Sequence, residues 1–455
     1  MTTAVLDIGK SNVKLVLLDD AGGTLAVRSR ANTVLPGPPF PHHDVAAIEA
    51  WLLGALASLP ERAAIAAIVP VAHGCAAALV AGDALVLPLL DYEYDGPDAT
   101  AAGCDVVADP FGESFTPPLP LGLVIGRQLF WLRERFPEAL ARADTLLVNP
   151  QFWAWRLSGV AAAEVTSLGS HSGLWRPAAR DWSQFVRRMD LLRLMPKLRP
   201  AWDTLGPLRP EIAAATGLDP ACRVVCGAHD SNASFLAHRA TRAPPFTVIS
   251  SGTWTIVMAA GAPLARLHAA RDMLANVDVF GDPVPTARFM GGREFAAVAG
   301  EAAGSAATLA DAARVMARGT LVRPAFVRGS GPFAAQQGAI IGPPPETAGE
   351  RVALADLYLA LVSDVMLDLL GAHPPFIVEG PAATAPVFLA ALAALRPGAA
   401  VIASEDGTGT GAGALLLAGW GRVAPRAAAG GRVEALPGMM PYRQHWRRLS
   451  APVAG

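Results

Sequence analysis

Hydrophobic positions near the start of the chain form three short runs separated by polar turns. Ala4–Ile8, Val13–Leu18 and Thr24–Ser29 are apolar or alternating, and the turns between them are Gly9–Asn12 and Asp19–Gly23. Short apolar runs bounded by Gly, Asn and Asp are typical of β-strands joined by tight turns. The pattern therefore predicts a three-stranded meander at this end of the chain.

The same pattern returns near the middle of the chain. Phe246–Ile249 and Trp254–Ala259 are strand-like and enclose a turn of small residues. A similar hairpin near the start and near the midpoint favours an internal duplication. The segment 240–245, which ends in two prolines, is the predicted boundary, so we expect one domain over 1–242 and another over 243–455.

Helix-like and strand-like segments alternate along the rest of the chain. Predicted helices occupy 43–59, 126–142, 150–157, 230–239, 350–370 and 384–395, with a glycine-rich helix start at 409–413. Predicted strands occupy 64–70, 146–149, 223–227, 376–379 and 400–404. Because alternation of the two element types is typical of layered α/β proteins, we predict an α/β fold.

Composition excludes several classes of protein. The 455 residues are 52% hydrophobic and 17% charged, which argues for two or three globular domains and against disorder. A formal net charge of −2 gives no reason to expect a nucleic-acid or membrane partner. Two uncharged stretches, 63–82 and 243–264, contain Pro, Gly or polar turns and are predicted to be buried strands. With no basic segment before the first strand, we expect a cytoplasmic protein.

The four cysteines are expected to be buried, reduced thiols. Their spacing matches neither a zinc site nor a CxxC redox motif. The residues are Cys75, Cys104, Cys222 and Cys226.

The first turn has the residue types of a phosphate-binding loop. A glycine lets backbone N–H groups approach an anion, and short polar or cationic side chains add donors. These residues are Gly9, Lys10, Ser11, Asn12 and Lys14. Two of the three lysines in a chain with 34 arginines lie here, and Asp7 before the turn could hold Mg²⁺. An ordinary hairpin turn with surface lysines is the alternative.

Three later segments carry further candidate chemistry. Ser251, Gly252 and Thr253 form the matching turn of the second hairpin. Asp230 stands at a helix start, where backbone amides and the helix dipole favour a carboxylate that can accept a proton, although a plain helix cap is the alternative. Glycines such as Gly409 and Gly411 allow an adenine ring, or a neighbouring helix, to approach closely.

In this order the segments resemble the FGGY carbohydrate kinase family, within the actin, hexokinase and sugar-kinase superfamily. Asp7, Gly9, Ser11 and Lys14 match the family's D-x-G-T-[ST]-x-x-[KR] phosphate loop, with Lys10 in place of the usual Thr. The resemblance covers almost the whole chain. It implies two ribonuclease-H-like, actin-like ATPase domains with a cleft between them.

The resemblance also implies roles for single residues. Gly227-Ala228-His229-Asp230 is similar to the family's G-x-H/C-D segment, which makes Asp230 the catalytic base and, with Asp7, a Mg²⁺ ligand. Ser251–Thr253 resembles the second phosphate segment. Gly380 resembles the adenosine-contacting turn, where Pro381 replaces the family's second glycine.

The sugar contacts are less closely matched. His73 lies in a segment that resembles one that reaches the substrate in the family. The resemblance also implies that Asp230, as the base, contacts the hydroxyl that it deprotonates. Asp91 or Glu93, with Asp91 favoured, corresponds to the acid of the family's W-x-D-x-R segment, although the Trp and Arg are missing. The segment 149–152 resembles a P-x-D region without its Asp.

Together the resemblance implies an ATP- and Mg²⁺-dependent kinase that phosphorylates a hydroxyl of a small sugar, with a ketose such as L-fuculose, L-rhamnulose or xylulose preferred. Two alternatives stay open: an actin- or chaperone-type ATPase, and a catalytically silent sugar sensor. Sugar and ATP are the expected partners. A homodimer is compatible with the family, but no residue pattern defines an interface.

Overall fold

The computed structural model describes residues 2–404, 409–425 and 433–450. The strands are β1 (Thr2–Ile8), β2 (Asn12–Leu18), β3 (Thr24–Ala31), β4 (Val34–Leu35), β5 (His42–His43), β6 (Ile65–Ala72), β7 (Ala77–Ala81), β8 (Ala84–Leu85), β9 (Thr145–Val148), β10 (Trp175–Arg176), β11 (Asp181–Trp182), β12 (Thr204–Pro207), β13 (Arg223–Val225), β14 (Ala228–His229), β15 (Phe246–Ser251), β16 (Thr255–Ala260), β17 (Met273–Val277), β18 (Pro283–Phe289), β19 (Leu321–Arg323), β20 (Ala339–Ile341), β21 (Phe376–Glu379) and β22 (Val401–Ala403). The α-helices are α1 (Val45–Ala57), α2 (Ala101–Val107), α3 (Phe111–Ser114), α4 (Ile125–Arg135), α5 (Pro137–Arg142), α6 (Asn149–Ser158), α7 (Val165–Leu168), α8 (Gln184–Arg188), α9 (Pro210–Thr216), α10 (Asp230–Arg239), α11 (Gly291–Ala299), α12 (Leu309–Ala317), α13 (Ala348–Leu370), α14 (Pro386–Leu395), α15 (Gly409–Ala418) and α16 (Met439–Leu449).

The chain forms two compact units, here named unit 1 and unit 2. Unit 1 contains the described residues of Met1–Thr241, Ala275–Pro283 and Thr408–Ala427. Unit 2 contains those of Arg242–Leu274, Val284–Gly407 and Ala428–Gly455. The expected domains, 1–242 and 243–455, differ from these units because the segments 275–283 and 408–427 belong to unit 1. The second of these segments contains α15, which lies against α10.

The two main sheets repeat one topology. In unit 1 the strand order is β12-β13-β6-β1-β2-β3, in which β1 pairs antiparallel with β2 and parallel with β6. The second sheet has the order β17-β18-β16-β15-β21-β22, in which β15 pairs antiparallel with β16 and parallel with β21. Each sheet therefore contains the hairpin predicted from the sequence, followed by a parallel partner.

Helices cover both faces of the sheet in unit 1. Ala4, Leu6 and Ile8 of β1 belong to one buried cluster with residues of α1, α6 and α9. Val5 belongs to a second cluster with residues of α10 and α15. Burial of both faces explains why β1 and β6 are continuous apolar runs without alternation.

Helices α10 and α15 approach each other closely at Gly413. A Cβ atom at Gly413 would overlap the carbonyl oxygen of Ala233 on α10. Only a residue without a side chain allows the two backbones to lie this near. The glycine-rich start of α15 thus serves helix packing, one of the two readings that the sequence left open, at Gly413.

We expect Gly413→Ala to destabilise the protein by about 1–3 kcal/mol, because the added methyl group must push α15 away from α10. Urea denaturation followed by circular dichroism measures the effect. Gly54→Ala in the middle of α1 is the matched control, since a Cβ there meets nothing within 4 Å. The control should be neutral or stabilising by up to about 1 kcal/mol. Equal effects of the two substitutions would contradict the packing argument.

One predicted helix is wrong. The single helix expected over 126–142 is two helices, α4 and α5, which meet at Phe136 with φ −137° and ψ 52°. Proline disfavours the helical conformation in the residue before it, so Pro137 ends α4 and begins α5. Similarly, the helix expected from residue 384 begins at Pro386, after a 3₁₀ turn over Gly380–Thr384.

The two uncharged stretches form strands, as predicted. β6 and β7 lie in the first stretch, and β15 and β16 lie in the second. Among the described residues, no helix combines the length and the apolar character needed to cross a membrane. All four cysteines are buried, as expected, and none of them forms a disulfide.

Candidate active site

Two carboxylates lie at the ends of β1 and β14, the two strands that flank β6 in unit 1. In the sheet, β6 runs between β1 and β14, so that Val71 pairs with Asp7 on one side and with Ala228 on the other. The chain leaves β14 two residues later as Asp230, the first residue of α10. Because parallel strands end at the same edge of a sheet, the Asp7 and Asp230 side chains are brought to one edge.

The Asp7 carboxyl has a raised pKa. Burial is the largest cause, the nearby charge of Asp230 adds to it and Lys14 opposes it, and together they raise the pKa from 3.8 to about 6. Asp7 and Asp230 are therefore close enough to repel each other when both are ionised. Such a pair favours a bound cation or a shared proton.

We expect Asp7→Asn to stabilise the protein above about pH 6 and to have no effect below about pH 4. The pKa of Asp7 is about 6 in the folded protein and 3.8 in the unfolded chain. The folded protein therefore loses stability as the pH rises from 3.8 to about 6, because the buried carboxyl must ionise there. The full cost is about 2–3 kcal/mol. Urea-unfolding midpoints of wild type and variant at pH 4 and pH 8 test this. A gain at pH 4, or none at pH 8, would contradict it.

The first turn is tight and leaves several polar groups exposed. The amide of Gly9 donates to the carbonyl of Asn12 at 2.9 Å, and the side chain of Asn32 donates to the carbonyl of Gly9 at 2.8 Å. Ser11, Asn12 and Lys14 are exposed. These groups are available to a ligand, whereas the turn itself is closed by backbone hydrogen bonds.

Lys10 lies with the candidate sugar acids. Its ammonium group pairs with Asp91, lies 3.5 Å from Glu93 and lies 4.8 Å from the centre of the Tyr92 ring. Asp91 is buried, whereas the Glu93 side chain is 59% exposed. Lys10 was expected among the phosphate contacts, and in this structure its charge is neutralised by Asp91.

His73 presents a free nitrogen next to these residues. Its Nδ1–H donates to the carbonyl of Gly74 at 2.6 Å, so Nε2 carries the lone pair. Nε2 is buried and has no hydrogen-bond partner among the described residues. Burial lowers the pKa of the ring, which keeps it neutral. The centres of the His73 and Tyr92 rings lie 5.5 Å apart. The Asn149 side chain donates to the His73 carbonyl at 3.1 Å.

His229 and Asp230 form an adjacent pair. The ring Nε2 of His229 lies 3.4 Å from Oδ1 of Asp230, and the amide of Ser231 donates to the same oxygen at 2.6 Å. Gly74 approaches this ring, since a Cβ there would lie 3.1 Å from His229 Nε2. The structure thus brings together His73, Asp91, Lys10, Asp7 and Asp230 on the same side of unit 1.

The candidate nucleotide residues of unit 2 form a closely packed turn. The Ser251 hydroxyl donates to the carbonyl of Glu379 at 2.6 Å and accepts from the amide of Ala382 at 2.9 Å. Gly380 has φ +72°, and a Cβ there would overlap the carbonyl oxygen of Ser251. Glycine is therefore required at 380, while Gly252 and Thr253 are exposed.

Sequence reasoning missed several residues of these regions. Gly292, at the start of α11, lies against the second turn, because a Cβ there would lie 2.6 Å from the Gly252 carbonyl oxygen. The Gly291-Gly292 pair at the start of a helix was the available signal. Tyr92 and Asn149 had no distinguishing pattern. Gly409 and Gly411 are half-buried in the first turn of α15, whereas Gly407 and Thr408, part of the same glycine-rich segment, lie outside the described residues.

Two family models match this sequence. Residues 124–237 match the N-terminal domain of the FGGY family of carbohydrate kinases, and residues 243–426 match the C-terminal domain of carbohydrate kinase FGGY. A solved carbohydrate kinase from Novosphingobium aromaticivorans is 39% identical, with 98% of this chain and 97% of that chain covered and a TM-score of 0.89.

Two further relatives are more distant. L-fuculokinase of Salmonella typhi is 27% identical over 281 residues, which is 56% of this chain and 55% of that protein, so the chain spans about half the length of this curated relative. A xylulose kinase structure from Rhodospirillum rubrum is 20% identical, with 99% of this chain and 97% of that chain covered and a TM-score of 0.81. At that identity the likeness shows the fold, an actin-like α/β fold in two parts, as predicted.

Proposed function

We propose, from the premise that this chain belongs to the FGGY family of carbohydrate kinases, that it transfers the γ-phosphoryl group of ATP to a hydroxyl of a small sugar. The observation that carries the proposal is that Asp7 and Asp230 lie close together at the ends of the two strands that flank β6. Phosphoryl transfer needs little more from a protein than positioned reactants, neutralised phosphate charge and an acceptor for the hydroxyl proton.

Asp230 is the proposed catalytic base. Its Oδ1 accepts the Ser231 amide, so the carboxylate has a defined direction at the start of α10. A base of this kind must lie within hydrogen-bond reach of the hydroxyl that it deprotonates. The sugar would therefore lie between Asp230 and the residues around His73.

The sugar contacts are assigned to unit 1. The His73 Nε2 lone pair can accept a hydrogen bond from a sugar hydroxyl, and the buried Asp91 carboxylate can accept another. Glu93, being exposed, can reach only the rim of such a site. The relatives named L-fuculokinase and xylulose kinase support a ketose as acceptor, with L-fuculose, L-rhamnulose and xylulose as the first candidates.

Nucleotide contacts are proposed for each unit separately. In unit 1 these are Gly9, Lys10, Ser11, Asn12, Lys14, Gly409 and Gly411, and in unit 2 they are Ser251, Gly252, Thr253 and Gly380. The described residues contain no group of three or more His, Cys, Asp or Glu that could hold a metal ion. Mg²⁺ usually takes one or two carboxylates and completes its shell with phosphate oxygens and water, so Asp7 and Asp230 fit it. When bound, Mg²⁺ would neutralise phosphate charge.

Release of ADP with a panel of ketoses, polyols and sugar acids, in Mg²⁺ and ATP, tests the proposal. Reactions without sugar are the control. Turnover that requires one class of sugar supports the kinase and identifies its acceptor. Equal ADP release with and without sugar would replace it by an ATPase. Sugar binding by calorimetry, without turnover of any candidate, would replace it by a sugar sensor.

A further inference from the structure

Behind His229 lies a fully buried polar cluster that the proposed chemistry does not use. It consists of Glu164, Thr166, Ser170 and Asn232, each at most 1% exposed. Glu164 caps the short helix α7, where it accepts from the amides of Thr166 and Ser167 at 2.9 and 3.2 Å. Hydrogen bonds join the four residues, while Asn232 Oδ1 is buried without a partner among the described residues. Buried polar groups joined in this way rigidify the structure around them.

The Glu164 side of the cluster holds the backbone of His229. The Thr166 hydroxyl donates to Glu164 at 2.5 Å, which leaves its lone pairs free to accept. One of them accepts the backbone amide of His229 at 3.1 Å. Because a hydroxyl has a single proton, the carboxylate dictates that Thr166 offers an acceptor, rather than a donor, to His229.

The Asn232 side of the cluster faces the ring of His229. The Asn232 amide nitrogen lies 3.2 Å from the ring Nδ1, 3.1 Å from the Ser170 hydroxyl and 3.4 Å from the Thr166 carbonyl. The Ser170 hydroxyl lies 3.2 Å from the same Nδ1 but donates its proton to the Thr166 carbonyl at 2.8 Å. Since a carbonyl only accepts, the NH₂ group of Asn232 is the group that faces the cluster.

An NH₂ group that faces Nδ1 requires Nδ1 to accept. A ring nitrogen that accepts a hydrogen bond carries no proton, so the ring has a single N–H and is neutral. With Nδ1 as acceptor, that proton is on Nε2, which lies 3.4 Å from the Asp230 carboxylate. The opposite tautomer would place the Nε2 lone pair against the carboxylate oxygen, which is repulsive.

We infer that Asn232 is a positioning residue for Asp230, which acts by fixing the His229 tautomer whose Nε2–H points at the Asp230 carboxylate. Glu164, through Thr166, holds the His229 backbone in the matching place. The inference rests on the proposed function only for its kinetic consequence, because the tautomer is a property of the protein alone.

Asn232→Asp is the sharpest test, since it keeps the shape of the side chain and replaces the donor by an acceptor. We expect Nδ1 of His229 to take the proton and kcat to fall about 10–100-fold, with KM for ATP within about threefold. Thr166→Val should lower kcat in the same direction, and Thr166→Ser should restore it. Thr216→Val is the control for a lost buried hydroxyl, because Thr216 is also buried and donates to a carbonyl of α9.

Nitrogen-15 NMR of histidine-labelled protein reads the tautomer directly, with the His229 signals assigned by their loss in His229→Gln. The chain has nine histidines, so the spectra are resolvable. Protonated Nδ1 of His229 in the wild type would overturn the inference, whatever the activity. So would an Asn232→Asp variant with unchanged tautomer and kcat. Absence of sugar-dependent turnover in the wild type would instead overturn the proposed function and leave the tautomer result standing.

Discussion

Asp230→Asn is expected to lower kcat by about 10²–10⁴-fold, the usual contribution of a general base, and to change sugar affinity only a few-fold. The amide keeps an oxygen that can accept from the Ser231 N–H, as Oδ1 does now at 2.6 Å, so the geometry at the start of α10 survives. The amide cannot take the proton of the sugar hydroxyl. ADP release at saturating sugar gives kcat, and calorimetry gives the sugar dissociation constant.

Asp219→Asn is the matched control for this substitution. Asp219 lies in an exposed loop of unit 1, and its Oδ1 accepts the amide of Ala221 at 2.8 Å, a short-range hydrogen bond similar to that of Asp230. It should leave kcat unchanged. An Asp230→Asn enzyme with near-normal kcat would remove Asp230 from the role of base, and a large loss of sugar affinity would make it chiefly a binding residue.

Asp364→Ala is expected to destabilise unit 2 by about 3–5 kcal/mol, the usual cost of removing one partner of a buried ion pair. Asp364 on α13 is fully buried and pairs with Arg396 at 2.7 Å, Arg443 at 2.7 Å and Arg447 at 2.6 Å. Arg443 and Arg447 lie on α16, and Arg396 follows α14. Without Asp364 the three guanidinium groups share Asp368 as their acidic partner among the described residues, and their mutual repulsion would loosen the three helices.

Chemical denaturation followed by circular dichroism measures this loss. Glu346→Ala is the control in the same unit, because Glu346 pairs with Arg318 at 3.0 Å but its side chain is 72% exposed. An exposed ion pair contributes about 0–1 kcal/mol, so the control should change little. A loss below about 1 kcal/mol for Asp364→Ala would mean that the arginines find water or Asp368 equally favourable.

The positions of most helices and strands could be predicted from the local sequence pattern. The first meander, the second hairpin and the helix from Asp230 to Arg239 are in the structure as predicted, because apolar runs, glycine turns and helical spacing are local properties of the chain. The helix expected over 126–142 failed for a local reason too, the effect of Pro137 on the preceding residue. A stricter reading of the sequence could have placed that break.

The candidate site could be predicted from the sequence only in part. Asp7 and Asp230 were found by their motifs, but no motif says that β6 lies between their strands. Lys10 was assigned to phosphate from its place in the loop, and that place does not show that its ammonium pairs with Asp91, a residue 81 positions away. Such a choice of partner depends on where the Asp91 loop folds, which local pattern does not encode.

The buried cluster behind His229 could not be predicted from the sequence. Glu164 and Thr166 look like an ordinary helix start, and Asn232 looks like a surface helix residue until α7 and α10 are packed together. The sequence by itself determined the element types, the two-part α/β class and the family motifs, because these depend on neighbours along the chain. Only the tertiary structure decided which polar groups meet, because hydrogen bonds and ion pairs form between residues that folding, not sequence order, makes neighbours.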